Sequence, residues 1–288
     1  MKFNKTKTNS MSCPWVESDF ARSILNNKKI NKDVKRKALF YINNGYVIFR
    51  NALSLNIINN TVKDFYKILN SNYYKKNPEY FHYNKHPRIV EGWKKSKNIK
   101  IVAKNKKIEK FLNFLYDKKP LPISTINFLS GTEQPLHSDY IHFGSVPERY
   151  LAGVWYAFED VGINNGPLTV VPMSHKLKTI SFSDLNLPTP RTTQELKKNY
   201  TVYENYLAEL IKEKKLKKKK IYLKKGDAII WAANLLHGGN KIKRKKATRL
   251  SQVVHYHFDK LNYIYNPCFT NIYSGIISKR NLKELIIK

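Results

Sequence analysis

His137-Ser138-Asp139, followed far downstream by His237 and twelve residues later by Arg249, is a set of side chains that can do metal chemistry. Two imidazoles and one carboxylate hold a non-haem ferrous ion on one face and leave the opposite positions open for a cosubstrate and oxygen. The spacing has a geometric reason. In a strand, residues i and i+2 point to the same side, so His137 and Asp139 can aim together into one cavity. The third ligand must then come from another strand, and the run Trp231–His237 can supply it. Arg249, on a strand after that, can pair its planar fork bidentately with a dicarboxylate that also chelates the metal. An HxD tripeptide alone is common. Its ordered combination with His237-Gly238-Gly239 and a downstream arginine makes iron binding the expectation.

Neighbouring residues extend the site. In the alternating run 249–258, Arg249 and Ser251 share a face, and a buried carboxylate needs more than one donor, so Ser251 is expected to help Arg249. His255 and His257 share that face too, but with the triad complete they read as ordinary strand histidines. His142 falls on the face opposite His137 if its strand is regular. Asn127 is an amide in an apolar run; it either meets the keto-acid end of a cosubstrate or bonds to backbone.

These residues need elements to place them. From Pro122 onward the hydrophobic period is two, with strand-like runs at 122–129, 136–143, 151–159, 167–172, 221–223, 227–231 and 249–258, divided by turns such as Asn164-Asn165-Gly166. Before them come two helical stripes, one capped by Ser54 with Ile58, Val62, Phe65 and Leu69, the other carrying Ile108, Phe111, Leu112 and Leu115. The pattern predicts a mainly β protein, a double-sheet jelly roll with flanking helices. Residues 1–288 read as a single domain, with 1–35 an irregular lead-in. The stretch 173–215, with Pro188, Pro190 and a helix near 203–214, is too long for an ordinary connection and is expected to be a lid.

Composition narrows the rest. No apolar run nears 18 residues and no secretory pattern follows Met1, so neither a membrane span nor export is expected. Cys13 and Cys268 have no metal-binding spacing, which fits a reducing cytoplasm. Net charge is +32, yet only nine of the 53 basic residues are arginine. The densest runs, Lys214–Lys220 and Lys241–Lys246, read as solvated connections. The substrate is expected to be a small molecule, and an anionic substrate or partner is the lesser reading of the charge. Nucleic acid is the weaker alternative: it would need aromatics interleaved with the basic residues.

The chain also resembles the phytanoyl-CoA dioxygenase-like family of Fe(II)- and 2-oxoglutarate-dependent oxygenases. The likeness rests on Asn44–Ile48, Thr125–Phe128, Gly131–Asp139, Gly153–Asp160, Gly166–His175, Lys225–Ala228, His237–Gly239 and Thr248–Gln252, spanning about 36–270. Met173 departs from it, standing where the family usually has glycine. The resemblance implies a double-stranded β-helix (cupin-like) core, Fe(II) held by His137, Asp139 and His237, and 2-oxoglutarate held by Arg249 and Ser251, with Trp155 close to it. It further implies dioxygen as co-reactant and hydroxylation of a C–H bond with release of succinate and carbon dioxide. Retention of Asp139 favours oxidation over halogenation. A cupin-like metal protein without 2-oxoglutarate chemistry is the alternative, and the Arg249–Ser251 pair speaks against it.

Overall fold

The computed structural model describes residues 12–76, 82–83 and 86–288. Seven strands form the main antiparallel sheet: β1 (Tyr46–Phe49), β2 (His82–Tyr83), β3 (His86–Val90), β4 (Pro120–Phe128), β6 (Ala152–Ala157), β9 (Ala228–Ala232) and β11 (Ser251–Phe258). Their spatial order is β1-β9-β6-β11-β4-β3-β2. A second sheet, in the order β10-β7-β8, holds β7 (Leu168–Val170), β8 (Lys219–Ile221) and β10 (His237–Gly239). A third, β13-β12-β5, joins β5 (Gly144–Val146), β12 (Tyr263–Tyr265) and β13 (Lys279–Arg280).

The main sheet is buried on both faces, and period-two alternation divides its side chains. Val154, Tyr156, Ile230, Val254, Tyr256 and Phe258 pack outward with the helices. Trp155, Ile229 and Trp231 turn inward and meet Leu168, Val170 and Ile221 of the second sheet. That inner space is where the site lies. The expected jelly-roll core with flanking helices is thus present.

The helices are α1 (Ala21–Asn27), α2 (Lys32–Asn44), α3 (Leu55–Leu69), α4 (Asn72–Lys76), α5 (Lys97–Ala103), α6 (Lys106–Tyr116), α7 (Thr193–Glu213) and α8 (Leu282–Leu285). Ser54 caps α3 through the Ile57 amide, as its position predicts. Asn105 does the same for α6, whose stripe of Ile108, Phe111, Leu112 and Leu115 is buried. Among the described residues no helix is long and apolar enough to cross a membrane.

Two expectations need correction. Residues 1–11 of the 1–35 lead-in lie outside the described residues, but 12–35 are not irregular: a 3-10 turn at Trp15–Glu17, α1 and the start of α2 occupy them. Trp15, Val16, Ala21 and Leu25 anchor these pieces in the core, and their shortness hid the helical period. The run 136–143 is not a strand. His137 makes an isolated bridge with His237, and Asp139–Ile141 form a 3-10 turn. The 173–215 segment carries a long helix. Its helix α7 packs Tyr203, Leu207 and Ile211 against Ile141, Phe182 and Leu236, because an apolar i, i+4 stripe needs burial. Met173 takes φ 71°, a left-handed conformation that glycine adopts at no steric cost. The turn therefore keeps its shape around the larger residue.

Candidate metal centre

His137 and His237 face each other across paired backbone bonds, each amide donating to the other's carbonyl at 3.0 and 2.9 Å. Each ring also has its Nδ1 at 2.9 Å from a carbonyl, of Pro135 and Leu235 respectively. A carbonyl can only accept, so both Nδ1 atoms carry the proton and both Nε2 atoms present a lone pair to the cavity, that of His137 lying 3.2 Å from the Gln134 amide nitrogen. Asp139 Oδ1 lies 3.6 Å from His237 Nε2 and 4.0 Å from His137 Nε2. One ligand atom from each of the three residues falls within 4.8 Å of the others, in a buried setting. The three side chains therefore meet as expected, although Asp139 arrives from a turn.

Electrostatics suits the ligand role. Burial, reinforced by His237, pushes His137 down to about 3, so its ring stays neutral and able to bind metal. Burial alone would raise the Asp139 carboxyl; the imidazoles of His237, His255 and His137 instead hold it below the usual carboxylate range. Its second oxygen, Oδ2, accepts from Trp231 Nε1 at 2.7 Å and lies 3.4 Å from His255 Nε2. Trp231 can lie there because Gly153, its partner across the sheet, has no side chain: a Cβ would come within 2.2 Å of the indole. Gly238 and Gly239 are needed for a similar reason, since added carbons would meet Gln134 O at 2.7 Å and Glu133 N at 2.9 Å.

Trp231→Phe removes the indole donor while keeping the ring's bulk. Outer partners of metal ligands typically govern about 10- to 100-fold in affinity, and a loss of that size is expected in metal titrations of the folded variant. Unchanged affinity would mean that the indole does not orient Asp139.

On another wall of the same 350 Å³ cavity, Arg249 is buried with its Cζ 5.0 Å from the Trp155 ring centre. Nη1 donates to Gly166 O at 2.5 Å, whereas Nε has no partner among the described residues. Burial pushes this guanidinium down to about 10. A charge removed from water with an unused N–H is fitted to receive an anion. Trp155 lies beside it, as the resemblance implies.

Two predicted contributors are placed elsewhere. Ser251 donates its hydroxyl to the Arg249 carbonyl at 3.0 Å and does not line the cavity. Asn127 points to the opposite side of β4 from Ile126 and Phe128, which do line it. Its amide donates to Gln252 Oε1 at 3.1 Å, and Gln252 in turn donates to Ile99 O at 3.0 Å. Strand alternation turns Asn127 toward the helices, and its bond is to a side-chain amide and not to backbone.

The sequence reading missed His255, Trp231 and His142. His255 shares the inward face with Arg249, so the alternation already carried that signal. Trp231 was marked only by an indole N–H in an apolar strand, and such a group needs a partner when buried. His142 lines the cavity because the backbone turns after Asp139, and it meets the Tyr200 hydroxyl.

A family model described as phytanoyl-CoA dioxygenase matches residues 41–249. No curated protein matches the chain. Among solved structures, EctD from S. alaskensis with bound Fe is similar with a TM-score of 0.61 and 18% identity, over 84% of this chain and 82% of that one. The non-heme alpha ketoglutarate dependent epimerase SnoN from nogalamycin biosynthesis gives 0.60 at 15% identity, over 85% and 89%. The carbocyclase SnoK from the same biosynthesis gives 0.59 at 16%, over 84% and 87%. At such identities the likeness is one of fold.

Proposed function

The chain belongs to the phytanoyl-CoA dioxygenase family, and from that premise we propose that it is a single-domain Fe(II)- and 2-oxoglutarate-dependent dioxygenase that hydroxylates a C–H bond of a small molecule. The observation that carries this reading is the pairing, inside one cavity, of a His137–Asp139–His237 ligand set with a buried guanidinium whose Nε is unused. A metal protein without a dicarboxylate partner has no use for Arg249 there.

In this reading His137 and His237 offer neutral imidazoles to the iron, and Asp139 neutralises half of its charge. Arg249 receives the distal carboxylate of 2-oxoglutarate, and Trp155 closes the wall beside it. Trp231 holds Asp139 in place from behind. Iron, 2-oxoglutarate and dioxygen together supply the oxidation: the cosubstrate loses carbon dioxide to become succinate, one oxygen atom entering succinate and the other the substrate. The protein contributes orientation and exclusion of water.

Calorimetry tests the reading. 2-Oxoglutarate is expected to bind only when a divalent metal is present, and iron with oxygen is expected to yield succinate from it. Indifference to 2-oxoglutarate in the metal-loaded chain would leave the metal-only alternative. The exposed lysines of 214–220 and 241–246 do not line the cavity and have no part in this chemistry.

A further inference from the structure

The cavity holds more positive charge than the proposed chemistry consumes. Among the described residues Asp139 is the sole carboxylate on its lining, against Arg88, Arg249 and Arg280. A ferrous ion, Asp139, Arg249 and the 2-oxoglutarate dianion cancel one another. Arg88 and Arg280 stand outside that balance.

Arg280 sits on β13, opposite Ile264 of β12, so its backbone is held in the third sheet. Its Cζ lies 5.7 Å from the Phe143 ring centre. No carboxylate among the described residues acts on it, and the Cys268 thiol, held protonated by burial, gives it no counter-charge. Arg88 and Arg280 line the cavity together with His142, and the Phe143 ring beside Arg280 lies 6.1 Å from the His142 ring. Arg249 stands apart from them over Trp155. A half-buried guanidinium without a counter-charge is costly, and an anionic guest removes that cost through bidentate contacts.

We propose that the substrate carries a compact anionic group, a carboxylate or a phosphate, that docks on Arg280 at the His142 side of the cavity. The inference rests on the oxygenase reading above and adds the chemical class of the substrate to it. A cavity of 350 Å³ is at the small end for ligand sites and must also admit the cosubstrate, so the anion belongs to a small molecule. The fixed anchor orients such a molecule, setting which of its C–H bonds faces the metal ligands.

The test is calorimetry on the full chain loaded anaerobically with Fe(II) and saturating 2-oxoglutarate, using butyrate, butyl phosphate and butyramide as probes. At least one anion is expected to bind about tenfold or more tightly than the amide, the size of one charge-assisted contact. Which anion wins identifies the group. Arg280→Gln is expected to erase that preference and Arg280→Lys to restore part of it, while 2-oxoglutarate affinity in both follows Arg249. No preference in the native chain, no anion binding at all, or a preference that survives intact in Arg280→Gln overturns the proposal. Failure of 2-oxoglutarate itself to bind the metal-loaded chain would instead overturn the oxygenase reading.

Discussion

Alanine in place of His137 or His237 is expected to leave a folded chain that no longer retains a divalent ion and shows no turnover. Each variant deletes one of three ligands from the group around Asp139 Oδ1. Protein metal sites are worth about 10–16 kcal/mol where measured for structural zinc. Losing a third of such a figure lowers affinity by roughly two and a half to four orders of magnitude. The fold is expected to persist, because the bridge between 137 and 237 is made by backbone and tolerates any side chain that fits. Metal content after gel filtration, read beside the circular dichroism spectrum, checks both halves. Stoichiometric iron in either variant would reassign the ligand.

Arg249→Lys is expected to be nearly as damaging to the cosubstrate as a neutral substitution. An ammonium cannot supply both a bond to Gly166 O and a two-pronged contact with a carboxylate. A charge-assisted hydrogen bond is worth about 1.5–3 kcal/mol, so 2-oxoglutarate affinity should fall by roughly ten- to a hundredfold. Metal binding should be preserved, since Arg249 touches none of the three ligands in the hydrogen bonds and ion pairs of the site. An unchanged KM for 2-oxoglutarate would remove Arg249 from the clamp.

The chemistry was legible in the sequence where residue type alone constrains it. A histidine, a carboxylate and a second histidine in order pointed to the same centre that the structure assembles, and alternation along β11 placed Arg249 with its inward neighbours. What the sequence concealed depended on backbone direction. The period-two reading of 136–143 assumed an extended chain, but the amide of Tyr140 bonds to Ala233 O and the backbone turns there. That turn brings His142 onto the cavity wall. Asn127 and Ser251 were ambiguous for a related reason: a polar residue in a strand can bond a neighbouring backbone or amide as well as a ligand, as Ser251 bonds the Arg249 carbonyl and Asn127 the Gln252 amide. Arg280 had no local signal at all, since only the pairing of β13 with β12 carries it to the site.

The reciprocal amide bonds between His137 and His237 also bear on how the centre loads. They join two segments a hundred residues apart in sequence, so the entropy of bringing the two imidazoles together is lost during folding and not during metal capture. In the metal-free protein those two amides should already exchange slowly with deuterated water, as core strands do. Metal uptake then needs little ordering of the main chain, and its rate is governed by how quickly water leaves the ion and the cavity. Apo protein of this kind can be stored, chelated and reloaded without passing through an unfolded state.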